Sequence, residues 1–317
     1  MNEPRARVPR RAVHGVLLLD KPAGLSSHDA LQRAKRLYRA EKAGHTGTLD
    51  PLASGLLPLC FGAATKFAQV SLDADKAYRA TLALGATTTT GDAEGEVIER
   101  RAVTVDRAAV DTTCARFVGS IEQVPPMHSA LKHQGRALYD YARAGITVER
   151  APRRVVIHRL DAVAFDGATL VLDVVCSKGT YVRTLAEDLG AALGCGAHLA
   201  ALRRTASGAL TLDGAVTLDA LAAMDEAQRD ALLLPPDALV AHWPRLALPD
   251  DEAGRFLTGL RRRVRLPDAP RVRVYGPQPR AFLGSAHITA GELIADRLLS
   301  PAEVAAVANR PASREPL

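Results

Sequence analysis

Residues 44–58 read Gly-His-Thr-Gly-Thr-Leu-Asp-Pro-Leu-Ala-Ser-Gly-Leu-Leu-Pro. One acid, Asp50, stands in this run of small, backbone-permissive and apolar residues, with a single histidine, His45, upstream. A solvated loop would not need so many leucines, and a core strand would not hold Asp-Pro at its centre. Glycines at 44, 47 and 55 allow tight turns and close approach of another molecule. Pro51 pushes Asp50 towards an extended conformation and ends any helix there. An isolated Asp-Pro more often caps a helix or closes a turn. The whole stretch instead suits one carboxylate displayed from a rigid, partly apolar floor, where it can act as nucleophile or proton acceptor.

Other chemistries fail on spacing. Gly85 to Gly91 has the look of a phosphate loop, but Asp92 follows where a P-loop needs lysine. No G-x-G-x-x-G follows a strand and no G-x-S-x-G occurs. No His/Cys/Asp cluster has metal-ligand spacing. The four cysteines (Cys60, Cys114, Cys176, Cys195) show no C-x-x-C spacing and read as free thiols of a reducing cytoplasm.

The elements that must position Asp50 are legible around it. Gly15 to Leu19 reads as a buried strand running into a turn at Asp20-Lys21-Pro22-Ala23-Gly24. Ser27 is an expected N-cap for a helix with Ala30, Ala34, Leu37 and Tyr38 at helical spacing. Strands are expected over 76–84, 154–164 and 169–176, the last two joined by a hairpin turn at Asp166-Gly167. A loop is expected over 85–95 and helices over 106–117 and 181–193. The interleaving lacks a regular βαβ alternation, which points to an α+β fold.

Charge says more by distribution than by sum. The net charge is +6 and the sequence pI about 9.3. Seven arginines against Asp268 lie between Arg261 and Arg280, and six basic residues against two acids between Lys132 and Arg154. Arg5, Arg7, Arg10 and Arg11 add a third tract in a Pro-containing arm expected to be disordered over residues 1–12. Three separated tracts suit a long polyanion better than a single small phosphate. No apolar run approaches the ~20 residues of a membrane span, so no membrane partner is expected. Residues 124–152, with Pro125-Pro126 and a short helix near 136–144, read as a basic insertion. Residues 232–251 read as a Pro-rich linker anchored by Trp243.

The 44–58 stretch resembles the signature loop of the TruB family of pseudouridine synthases, which act on uridine 55 in the T arm of tRNA. Four further segments resemble that family in the same order and cover most of residues 14–208. They are Lys76-Ala77-Tyr78-Arg79-Ala80, Val124 to Lys132, Cys176 to Leu185, and His198 to Arg204. One departure is His128, where the family usually has tyrosine; it bears on a clamp contact and not on the reaction.

The resemblance implies a pseudouridine synthase fold with a mixed, largely antiparallel central sheet, spanning 13–233 with the insertion 124–152. After a linker at 234–250 it implies a small PUA-like RNA-binding β-barrel at 251–310. Asp50 is the implied catalyst and Arg183 the residue that keeps it ionised. Tyr78 is the implied stacking platform and a candidate for handling the C5 proton. His45 is implied to fill the space the base vacates, Tyr181 and Leu202 to wall the uracil pocket, and Lys21 and Lys66 to meet phosphates. No cofactor or metal is implied, and a cytoplasmic monomer acting on tRNA without a protein partner is expected. Two contrasting functions stay open: an RNA chaperone that refolds tRNA elbows, and a guide-dependent synthase of a box H/ACA particle.

Overall fold

The structure is a computed structural model that describes residues 9–129, 131–277 and 281–309. Residues 1–8 of the basic arm, Ala130, Arg280 and residue 310 of the C-terminal span lie outside the described residues. The chain forms two compact units that are not sequential. The first contains residues 1–50, 56–73 and 209–317, and the second contains 51–55 and 74–208. The chain passes between them four times, the first at the Asp50–Pro51 peptide bond.

The second unit is built on a mixed sheet. Strands Gly119–Gln123, Arg153–Phe165, Thr169–Cys176, Lys76–Leu84 and Ala197–Ser207 lie side by side in that order, all antiparallel. Ser54 and Gly55 add a short parallel pairing on Arg203 and Arg204. The period-two pattern of Thr169–Cys176 turns Leu170, Leu172, Val174 and Cys176 into the core. The expected hairpin turn is closed by Asp166 Oδ1, which accepts from Ala168 N and Thr169 N at 3.0 and 2.7 Å. Helix Val182–Ala192 covers the sheet with Val182, Leu185, Ala186 and Leu189. It approaches so closely that a Cβ at Gly190 would stand 2.1 Å from Ala197 N. The stretch 85–95, expected as a loop, contains a short strand Ala86–Thr88 paired with Val97–Arg100.

In the first unit the strand Gly15–Lys21 neighbours Ser54–Phe61, whose end pairs with Ala43–His45. Helix Ser27–Leu37 follows the first strand, and its N-cap is Ser26, one residue before the expected Ser27. A five-stranded sheet runs Arg245–Ala247, Ala269–Tyr275, Phe282–Thr289, Glu292–Leu298, Arg262–Arg263. One core joins Val16, Leu56 and Phe67 to Trp243, Tyr275 and Phe282. The Pro-rich stretch read as a linker is anchored along its length: Leu239, Val240 and Trp243 are buried, and Asp237 accepts from the Tyr275 hydroxyl.

Candidate active site

The residue before Asp50 is fixed by a buried hydroxyl. Ser27 is released from capping because Ser26 accepts from Asp29 N at 3.1 Å. Ser27 Oγ therefore reaches across to Leu49, accepting from its N–H at 2.7 Å and donating to its carbonyl at 2.9 Å. Both residues are buried, at 2 % and 3 % exposure, while Asp50 itself is half-buried. His45 ends the strand Ala43–His45, opposite Leu59 and half-buried.

Five residues after Asp50 the chain joins the sheet of the second unit. Gly55 pairs with Arg204 and has φ +97, a conformation that favours glycine. A Cβ there would stand 2.3 Å from Arg204 O, so glycine permits the close parallel pairing. Arg204 is opposite Tyr78 on the next strand, and Tyr78 is opposite Val174 on the one after. The row Gly55, Arg204, Tyr78, Val174 thus crosses four strands in register. Arg204 is buried to 1 % exposure, which pulls its guanidinium below the ordinary arginine range, and it donates to the Tyr78 hydroxyl. Leu202, opposite Ala80, stands two residues along the same strand as Arg204 and is half-buried.

Arg183 lies in the first turn of helix Val182–Ala192 and is 6 % exposed. Its guanidinium donates to His128 O at 2.7 Å and Thr90 O at 3.4 Å, and stands 3.5 Å from Asp92 Oδ2. The His128 contact is made by the main chain, so histidine in place of tyrosine leaves it intact. Asp92 is 3 % exposed and held in place through Oδ1, which accepts from Thr90 Oγ1 at 2.5 Å and Glu94 N at 3.1 Å. The arginine foreseen beside Asp50 is therefore already oriented by a second, buried aspartate within its own unit. Tyr181, just ahead of Arg183, is clamped by Gln123. Tyr181 N donates to Gln123 Oε1 at 3.0 Å, and Gln123 Nε2 donates to Tyr181 O at 3.3 Å.

A cavity of about 480 Å³ opens beside this cluster under the 124–152 segment, lined in part by Thr90, Met127, His128, Arg150 and Glu187. Burial and the neighbouring Asp188 raise the Glu187 carboxyl above its ordinary range. Arg150 helps shape the segment by donating to Pro125 O at 3.0 Å.

The two lysines foreseen at phosphates also make contacts within the protein, Lys21 buried and Lys66 partly exposed. Lys21 is fully buried, and its ammonium donates to Pro22 O and Leu25 O at 2.9 and 2.6 Å, which closes the 20–25 turn. Lys66 donates to Leu298 O at 2.8 Å and pairs with Glu303. Three residues escaped the sequence reading: Asp92, Gln123 and the part played by Arg204. Asp92 had a signal in the Thr-rich run that ends on a lone acid; Gln123 had only its place before Pro125-Pro126. All four thiols are buried, and burial pushes Cys60 up to about 12 and Cys114 and Cys176 up to about 11.

The chain matches known proteins along most of its length. Residues 35–182 match the TruB family pseudouridylate synthase N-terminal domain. Residues 183–241 match the tRNA pseudouridylate synthase B C-terminal domain, and 244–299 match pseudouridine synthase II TruB, C-terminal. A tRNA pseudouridine synthase B of Verminephrobacter eiseniae is 57 % identical over 96 % of this chain and 94 % of its own length. Its counterpart from Burkholderia pseudomallei is 60 % identical over 93 % of this chain and 97 % of its own. In fold the chain is similar to a protein in a Cbf5–Nop10–Gar1 complex, with TM-score 0.70 and 24 % identity over 92 % of this chain and 87 % of the other. With domain matches along residues 35–299 and relatives of this identity over nearly the whole chain, the protein belongs to the TruB family of pseudouridylate synthases.

Proposed function

We propose that this protein isomerises uridine 55 in the T arm of tRNA to pseudouridine, with Asp50 as its catalytic carboxylate. Membership of the TruB family is the observation on which the reaction rests, and the curated relatives act on tRNA by name. For Asp50, support comes from its setting: a half-buried carboxylate between a residue locked to Ser27 and a glycine pinned to Arg204.

The reaction breaks the bond from ribose C1′ to N1, turns the uracil and joins C1′ to C5. The C5 proton leaves and N1 gains one, so atoms balance without a redox partner. Asp50 acts either as nucleophile or as the base that removes a ribose proton. Uridine 55 must leave its stack at a cost of a few kcal/mol. Stacking on Tyr78 recovers about 1–3 kcal/mol, and the hydrogen bond from Arg204 steadies that ring. Tyr181 and Leu202 wall the uracil, His45 takes the vacated space, and Arg183 supports the ionised form of Asp50. The protein works as a stand-alone cytoplasmic enzyme. In keeping with a reducing compartment, all four cysteines are free and buried. Among the described residues no helix is long and apolar enough to cross a membrane.

The test is conversion of a T-arm stem-loop RNA by the purified protein without guide RNA, with the modified nucleotide mapped. Pseudouridine at position 55 supports the reading. Binding without conversion turns it towards an RNA chaperone, and conversion only with an added guide towards a ribonucleoprotein enzyme.

A further inference from the structure

Gln32, Lys35 and Arg36 follow the i, i+3, i+4 spacing that puts them on one face of helix Ser27–Leu37, and Arg39 lies just beyond its end. The opposite face, Ala30, Ala34 and Tyr38, is fully buried. The basic face meets the N-terminal segment, which is pinned beside the helix end. Arg11 N donates to Arg39 O at 2.9 Å and Glu41 N donates to Arg11 O at 3.2 Å. The Arg11 guanidinium grips both carboxylate oxygens of Asp230 and donates to Tyr38 O at 3.1 Å. Arg39 has φ 51, the left-handed conformation that turns the chain off the helix. Arg10, next to the pinned Arg11, lines the same pocket as Lys35 and Arg36.

The result is a pocket of about 230 Å³ lined by Arg10, Gln32, Lys35, Arg36, Arg39 and Ala40. Its lining has four cations and no acid. Arg39 is neutralised by Glu226, whereas Arg10, Lys35 and Arg36 make no ion pair among the described residues. Three like charges, Arg10, Lys35 and Arg36, line one small pocket and repel one another, so an anion bound among them would relieve the repulsion. No aromatic side chain lines the pocket to stack a base, and Gln32 adds a neutral hydrogen-bond donor.

We propose that this pocket is a docking site for a backbone phosphate of the RNA substrate, separate from the residues assigned to the uridine. It reads charge and not sequence. It rests on the proposed function only in taking RNA as the ligand. None of its residues belongs to the catalytic set.

The experiment compares the full-length wild-type protein with the double variants Lys35→Ala/Arg36→Ala and Lys35→Arg/Arg36→Lys. Affinity for unmodified tRNA is measured across a salt series, beside single-turnover conversion at saturating tRNA and a thermal melt. Neutralising two cations is expected to weaken binding about 3- to 10-fold at 0.1 M salt and to shallow the slope of log K against log salt by about 1 to 2. The saturating rate and the melt stay unchanged, and the charge-preserving variant behaves as wild type. An affinity and slope equal to wild type for the alanine variant overturn the proposal. So does a weakening that the charge-preserving variant shares, because shape and not charge would then be responsible. Failure of the wild-type protein to convert tRNA while the affinity pattern holds would count against the proposed reaction and leave the pocket standing.

Discussion

Ser27 and Leu49, 22 residues apart, are joined through one hydroxyl that accepts from the Leu49 N–H and donates to its carbonyl. The start of the first helix is thereby tied to the peptide that leads into Asp50. Removing the hydroxyl leaves two buried main-chain groups unsatisfied, which costs about 1–3 kcal/mol each before relaxation. Ser27→Ala is expected to lower turnover about tenfold in single-turnover assays while KM for RNA changes little. A proportional rise in KM with unchanged turnover would contradict a role in aligning Asp50.

Arg183 turns Nη2 of its planar fork to His128 O and Nη1 to Thr90 O and Asp92. Lysine keeps the charge but not the fork. Arg183→Lys is expected to lose at least tenfold in turnover with RNA binding retained. Full activity in the lysine variant would show that a point charge suffices.

Asp92 makes the same point from the acid side. A buried arginine that loses one carboxylate neighbour loses part of the charge compensation that offsets its burial. Asp92→Asn keeps the shape and the bond from Thr90, so the expected result is a folded protein with reduced turnover. A chemical denaturation curve beside the rate separates destabilisation from misalignment.

Gln123 holds both main-chain groups of Tyr181. Gln123→Leu is expected to destabilise the second unit by about 1–3 kcal/mol and to raise KM for RNA, because the tyrosine that walls the uracil loses its brace. An unchanged KM would place Tyr181 outside the base pocket.

Burial alone would raise the Glu303 carboxyl, but hydrogen bonds from Lys66 and from Ser300 N outweigh it and leave it below the usual carboxylate range. A depressed folded value means the pair stabilises the protein fully above the ordinary carboxylate range. That contribution fades as pH falls through the folded value. The melting temperature of wild type is expected to fall between pH 6 and pH 3 more steeply than that of Glu303→Gln. Parallel curves would remove this pair from the acid response.

The sequence was most legible where local physics and function coincide. Alternating residues in Thr169–Cys176 and the Asp166-Gly167 turn were readable because their partners lie next to them. The helix start was misplaced by one residue because Ser26 and Ser27 are equivalent as caps in one dimension. Only the position of Leu49 shows which hydroxyl is free. Pro235 and Pro236 suggested a linker, yet the hydrophobic residues after them complete a core assembled from both ends of the chain. The burial of Lys21 and the tie of Lys66 to Leu298 and Glu303 were not legible, the second because its partners lie far along the sequence. Asp92 and Gln123 act through residues roughly 60 to 90 positions away, a distance across which spacing has no meaning.

The most direct test replaces Asp50 with asparagine and follows pseudouridine formation in a T-arm RNA alongside RNA affinity. The account predicts that Asp50→Asn binds the RNA within a few-fold of wild type and forms no pseudouridine above background. Conversion by Asp50→Asn at a rate comparable to wild type would show that the carboxylate is not the catalyst.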